Sequence, residues 1–153
     1  MNLSVDPGLL LVIRSKGFLN KTQSLVAIVD DDLSVRRALK RLVLSLDMLA
    51  ETFSSGAQFL DYLQATPLHD TSCVILDIQM PGLSGLEVLE RLRELHWSLP
   101  VIVITAHETP STYESALAAG AVAFLRKPFD EEALIRAIEA AIERQSPLRI
   151  GKS

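Results

Sequence analysis

The stretch VDDD, Val29–Asp32, sets three carboxylates side by side directly behind the apolar run SLVAI. Another carboxylate, Asp77, ends the run CVILD, a hydroxyl, Thr105, ends VIVIT, and an ammonium, Lys127, follows VAFL closely. Taken singly, each has an ordinary reading: a capping cluster, a turn residue before MPG, a strand-end β-former, a solvated charge. Taken together at the ends of apolar runs, they suit one chemistry. Two like charges about 4 Å apart repel by roughly 4 kcal/mol at an effective dielectric near 20, so Asp30, Asp31 and Asp77 need positive charge if they cluster. Mg²⁺ prefers such oxygen ligands while retaining several waters. A cation beside a carboxylate suits phosphoryl transfer, because it neutralises charge on the moving group. The carboxylate can itself be the nucleophile, forming an aspartyl phosphate. Thr105 and Lys127 are the donors a phosphoryl group needs.

These residues act together only if the elements carrying them converge. SLVAIV (Ser24–Val29) is a short apolar run rich in β-branched residues, which predicts a buried strand. From Leu33 to Leu46 the period becomes helical: Val35, Leu39, Leu42 and Leu46 recur on one side, and Arg36, Arg37, Lys40 and Arg41 take the other. Asp32 is the natural N-cap. Further strands are predicted at Met48–Phe53, Cys73–Asp77, Val101–Thr105 and Val122–Leu125. Helices are predicted at Gly56–Ala65, stopped by Thr66-Pro67, at Gly85–Leu95, capped by Ser84, and at Thr109–Ala119, with Pro110 early and Gly120 closing it. Asp130 caps a last helix with Leu134, Ile135, Ile138, Ala141 and Ile142 facing inward. Five apolar strands alternating with five helices imply a parallel sheet with helices on both faces, and ligands of such sheets bind outside the carboxyl ends of the strands. The acids, Thr105 and Lys127 all fall at those ends.

Composition fits this picture. The 153 residues, 48% hydrophobic, suit one domain with a sizeable core, and the net charge of -4 gives no sign of a nucleic-acid-coating surface. The single cysteine, Cys73, lies within an apolar run, so no disulfide framework exists and a reducing, cytoplasmic compartment is expected. No apolar stretch has the length to span a bilayer. GLLLVI near the N-terminus lacks the flanks of a signal peptide. No helix-turn-helix, Walker motif or zinc-ligand cluster is evident.

The blocks VDDD (29–32), ILDIQMPGLSGLE (75–87), VIVITAH (101–107) and AGAVAFLRKPF (119–129) resemble the receiver domain of bacterial two-component response regulators of the FixJ/LuxR type. The similarity runs from about Leu25 to Arg144. It implies a flavodoxin-like, CheY-like fold: a doubly wound five-stranded parallel sheet of order 2-1-3-4-5 with five helices. By resemblance, Asp77 is the phosphoacceptor for a sensor histidine kinase. Asp30 and Asp31 hold Mg²⁺ with Asp77 and the backbone carbonyl of Gln79, Asp31 being the more direct of the acidic pair. Thr105 and Lys127 bind the phosphoryl oxygens, and Phe124 is the aromatic that reorients on activation. The Lys127-Pro128 bond is one the family often has cis, and the side chains of Gln79 and His107 flank the site where phosphate lifetime is tuned. The basic face of the first helix is either solvated or docks on the kinase. His69 and His96 read as loop or helix-end residues.

Residues 1–23 precede the first strand and are expected to be an N-terminal extension, disordered or packed as an added element. Residues 24–145 form the receiver, and 146–153 a tail or the start of a linker. The alternative function is a Mg²⁺-dependent phosphatase with an aspartyl nucleophile. One haloacid-dehalogenase-like form of it wants a second acid two residues after the nucleophile, where Gln79 stands. The switch reading has a partner implication: ALAAGAVAF is small and apolar, so phosphorylation is expected to promote a homodimer through the helix 109–119, the strand Val122–Leu125 and the last helix. Neither nucleic acid nor membrane is expected to bind this chain itself.

Overall fold

The structure, a computed structural model, describes residues 24–66 and 70–145. The expected extension 1–23, the tail 146–153 and His69 lie outside the described residues. In chain order the elements are β1 (Leu25–Val29), α1 (Leu33–Ser45), β2 (Leu49–Phe53), α2 (Gly56–Ala65), β3 (Thr71–Asp77), α3 (Gly85–Glu94), β4 (Val101–Thr105), α4 (Pro110–Ala118), β5 (Ala123–Arg126) and α5 (Glu131–Gln145). All adjacent strands pair in parallel, in the order β2-β1-β3-β4-β5. The doubly wound, CheY-like topology implied by the sequence is the one observed.

The period of two along each strand sorts the core into two halves. Ala27, Val29, Val74, Leu76, Val101 and Val103 face α2, α3 and α4, packing with Phe59, Leu63, Val88, Leu92 and Ala116. Val26, Ile28, Cys73, Ile75, Ile102 and Ile104 face α1 and α5, packing with Leu39, Val43, Leu134 and Ile138. Helix starts follow their caps. Asp32 accepts from Ser34 and Val35 N–H, while Ser84 with Glu87 and Thr109 with Thr112 form reciprocal capping boxes.

Some boundaries differ from the sequence reading. β3 begins at Thr71, two residues before Cys73, because Thr71 pairs with Leu25 across a register shift. β5 is displaced by one residue, to Ala123–Arg126, and is only half-buried, as an edge strand is. In α1 the core takes Val43 as well as Leu39. In α5, Ile135 is half-exposed and lies outside both core clusters, whereas Leu134, Ile138 and Ala141 are buried. His96 sits immediately past α3, after its C-cap Leu95, at φ 62°, a left-handed position typical of helix ends.

Candidate functional site

Parallel pairing brings the carboxyl ends of the strands to one edge of the sheet. Val29 lies opposite Leu76 on β1 and β3, so Asp30 and Asp77 follow on neighbouring strands. β1 stands between β2 and β3, where the strand order reverses, and this is the position at which open α/β sheets hold ligands.

Asp30 is fully buried and fully bonded. Its Oδ1 accepts the Asp32 N–H at 2.9 Å, its Oδ2 accepts from Lys127 Nζ at 2.9 Å, and its N–H donates to the Phe53 carbonyl at 3.1 Å. The same ammonium stands 3.5 Å from Asp77 Oδ2. Asp77 Oδ1 accepts the Gln79 N–H at 3.3 Å. Asp31 is exposed, yet one carboxylate oxygen from each of Asp30, Asp31 and Asp77 falls within 4.8 Å of the others. Thus the structure brings Asp30, Asp31, Asp77 and Lys127 together.

Burial, and next the charge of Asp30, hold the Asp77 carboxyl above its ordinary range; Lys127 and the Gln79 N–H offset this only in part. Burial alone pulls the Lys127 ammonium down, but its hydrogen bond to Asp30 and the charges of both aspartates outweigh that and leave it raised. One ammonium therefore serves two buried carboxylates with a third beside them. The donor set fits a hard divalent cation: three convergent carboxylates, one open to water, with negative charge undercompensated.

Thr105 is buried at the end of β4, and its Oγ1 is engaged with its own loop. It accepts the His107 N–H at 3.2 Å and lies 3.4 Å from the His107 carbonyl. Phe124 shares the α4-facing side of the sheet with Thr105 and meets the Tyr113 ring edge-on at 5.3 Å between centroids. Lys127 is tied back to β4, its N–H donating to the Thr105 carbonyl at 2.8 Å, and the Lys127-Pro128 bond is cis. Gln79 and His107 are exposed at the rim.

Two residues at the site escaped the sequence reading. Gly85 opens α3 with its N–H on the Ile78 carbonyl at 2.8 Å, and a Cβ there would overlap the Asp77 carbonyl oxygen and approach Ile78 Cα to 2.7 Å. Arg36, assigned to the outer basic face, is half-buried, and its Nη1 donates to the Asp30 carbonyl at 2.6 Å. The GLSG spacing hinted at Gly85; nothing in the sequence set Arg36 apart from Arg37.

Residues 26–139 match the family model described as response regulator receiver domain. The response regulator protein TodT of Pseudomonas putida is 42% identical over 120 residues, covering 78% of this chain and 52% of that protein. The transcriptional regulatory protein FixJ of Azorhizobium caulinodans is 39% identical over 121 residues, covering 79% and 56%. A solved response regulator receiver protein from Burkholderia phymatum superposes with a TM-score of 0.71 at 50% identity, covering 79% of this chain and 96% of that one. This chain belongs to the response regulator receiver domain family, the signalling module of two-component systems. It spans about half the length of the curated relatives it matches. Among the described residues no helix is long and apolar enough to cross a membrane.

Proposed function

We propose that the domain, residues 24–145, accepts a phosphoryl group on Asp77 from the phosphohistidine of a sensor kinase and thereby switches its α4–β5–α5 surface. The observation that carries this reading is the buried Asp77 carboxylate at the end of β3, 3.5 Å from Lys127 Nζ and clustered with Asp30 and Asp31. An Asp77 carboxylate oxygen attacks phosphorus, the bond from phosphorus to the histidine nitrogen breaks, and the electron pair leaves with the imidazole. Lys127 neutralises charge on the phosphoryl oxygens, and the Thr105 hydroxyl leaves the His107 loop to donate to one of them. Asp30, Asp31, Asp77 and the Gln79 carbonyl would hold Mg²⁺, which when bound screens the charges of the acids and of the incoming group. The step modifies only the domain itself; no metabolite is turned over. The family match and the two regulators above favour this reading over an aspartyl phosphatase, for which Gln79 supplies an amide in place of the second acid.

The kinase would dock on the exposed bases of α1, namely Arg37, Lys40 and Arg41. Incubation with acetyl phosphate and Mg²⁺ is expected to add one phosphoryl group by intact mass, and Asp77→Asn is expected to abolish it. Equal labelling of the variant would remove Asp77 from the role.

A further inference from the structure

The four bases of α1 are not equivalent. Arg37, Lys40 and Arg41 are exposed, whereas Arg36 is half-buried and reaches six residues back to the Asp30 carbonyl at 2.6 Å. Helical side chains lean toward the helix N-terminus, so a long side chain in the first turn naturally covers the loop that precedes it. Here that loop carries the acids.

The hydrogen bonds of Asp30 show what Arg36 contributes. The Asp30 side chain is locked by the Asp32 N–H and Lys127, and its own N–H by Phe53. Asp31, the next residue, is exposed, and its carboxylate has no such support of its own among the described residues. The peptide unit joining them is planar, so fixing the Asp30 carbonyl also fixes the direction of the Asp31 N–H. Arg36 therefore holds the peptide plane that precedes the Asp31 Cα, while the Asp32 N–H on Asp30 Oδ1 holds the plane that follows it, and between them the two aim the Asp31 side chain into the acid cluster. A guanidinium donating to a carbonyl forms a charge-assisted bond, stronger than a neutral one.

We propose that Arg36 is a positioning residue: it orients Asp31 for the divalent cation rather than forming part of the outer basic face. This rests on the reading of Asp31 as a cation ligand. The alternative physics has the opposite sign. If Arg36 acted only as a nearby positive charge, it would repel the cation, and its removal would tighten binding.

Calorimetric titration of the full chain with Mg²⁺ alone separates the two. Arg36→Met is expected to weaken Mg²⁺ binding about tenfold, the usual effect of removing a residue that orients a metal ligand. Arg36→Lys is expected to restore most of the loss, and Arg37→Met to leave affinity unchanged. In an Asp31→Asn background, Arg36→Met is expected to add less than about twofold, since a residue acting through Asp31 has nothing left to orient. Arg36→Ala, which likewise removes the donor, gives the same comparison if the methionine variant does not fold. Equal or tighter binding in Arg36→Met or Arg36→Ala overturns the proposal, as does a full loss in the Asp31→Asn background. If Asp31→Asn itself leaves affinity unchanged, the ligand reading falls and this inference with it. If Asp31→Asn weakens binding and the Arg36 variants do not, the Arg36 role alone is lost.

Discussion

Asp77 is short of positive charge, since the Lys127 ammonium stands closer to Asp30, at 2.9 Å, than to Asp77, at 3.5 Å. Burial and the Asp30 charge raise the Asp77 carboxyl above its ordinary value of 3.8, so the folded protein holds that proton to higher pH than the unfolded chain does. Stability therefore falls as pH rises from the ordinary value through the folded-state value, and the penalty is complete once pH lies above the folded-state value. In buffer free of divalent cations, Asp77→Asn is expected to melt at a higher temperature than the parent at pH 7. That advantage should close as pH falls into the ordinary carboxylate range; a lower melting temperature at pH 7 would contradict the charge penalty. Lys127 works in the other direction. Its raised value means that its stabilising contribution is present at all pH below its ordinary 10.5 and is lost as pH climbs through the folded-state value. Lys127→Met leaves the buried Asp30 carboxylate without its counter-charge. With a side chain 19% exposed, the ammonium is partly screened, so we expect a loss of about 2 kcal/mol, below the usual cost of breaking a fully buried pair. Urea unfolding checks this, and an unchanged midpoint would mean that Asp30 is held by its backbone bonds alone.

At the scale of elements, the site depends on how closely α3 approaches the end of β3. Gly85 allows that approach, because any Cβ would meet the Asp77 carbonyl and Ile78 Cα, both of them backbone. Gly85→Ala is expected to cost on the order of 3 kcal/mol, at the top of the range for overpacking. It should also slow acetyl phosphate labelling, since the displaced atoms belong to Asp77; a variant as stable and as reactive as the parent would show that the helix can shift freely. Strand and helix identities were legible in the sequence because buried parallel strands are continuously apolar and the helices carry caps, as Ser84 and Thr109 illustrate. The strand-end positions of Asp30, Asp77 and Thr105 were legible for the same reason: a polar residue ending an apolar run has a direction. What stayed hidden depends on tertiary distance. Arg36 shares the spacing of a solvated face, and only the turn of the β1–α1 loop shows that it points back to Asp30. Thr71 is of a strand-forming type, but it and Ser72 are polar and precede the apolar run, so its place in β3 shows only in its pairing with Leu25. Ile135 has a core residue's type, but α5 buries Leu134 and Ile138 and leaves it half out.

For the whole molecule, the proposed switch runs from Thr105 to the surface formed by α4, β5 and α5. Thr105 Oγ1 is held by the His107 backbone, Phe124 lies on the same side of the sheet, and Tyr113 and Leu117 of α4 are exposed at 41% and 43%. If the hydroxyl turns to a phosphoryl group, Phe124 gains room to move inward and Tyr113 loses its ring partner. Sedimentation with the phosphoryl mimic beryllofluoride is expected to show a dimer at tens of micromolar protein where the untreated protein is monomeric, a shift that needs on the order of 5 kcal/mol of differential stabilisation. A monomer in both states would exclude this interface, and a Thr105→Ala variant that still dimerises would exclude the hydroxyl as the relay. The ion pair between Lys127 and Asp30 spans 97 positions of the chain, from the residue just after β5 to the one just after β1. Any fragment that starts beyond β1 loses the acid pair, and any that stops before Lys127 loses the cation that holds it. The chemistry is therefore indivisible: it cannot be trimmed to a smaller peptide or divided between two half-domains that do not reassociate, and a nick anywhere between these two residues can be tolerated only if both pieces stay docked on the sheet.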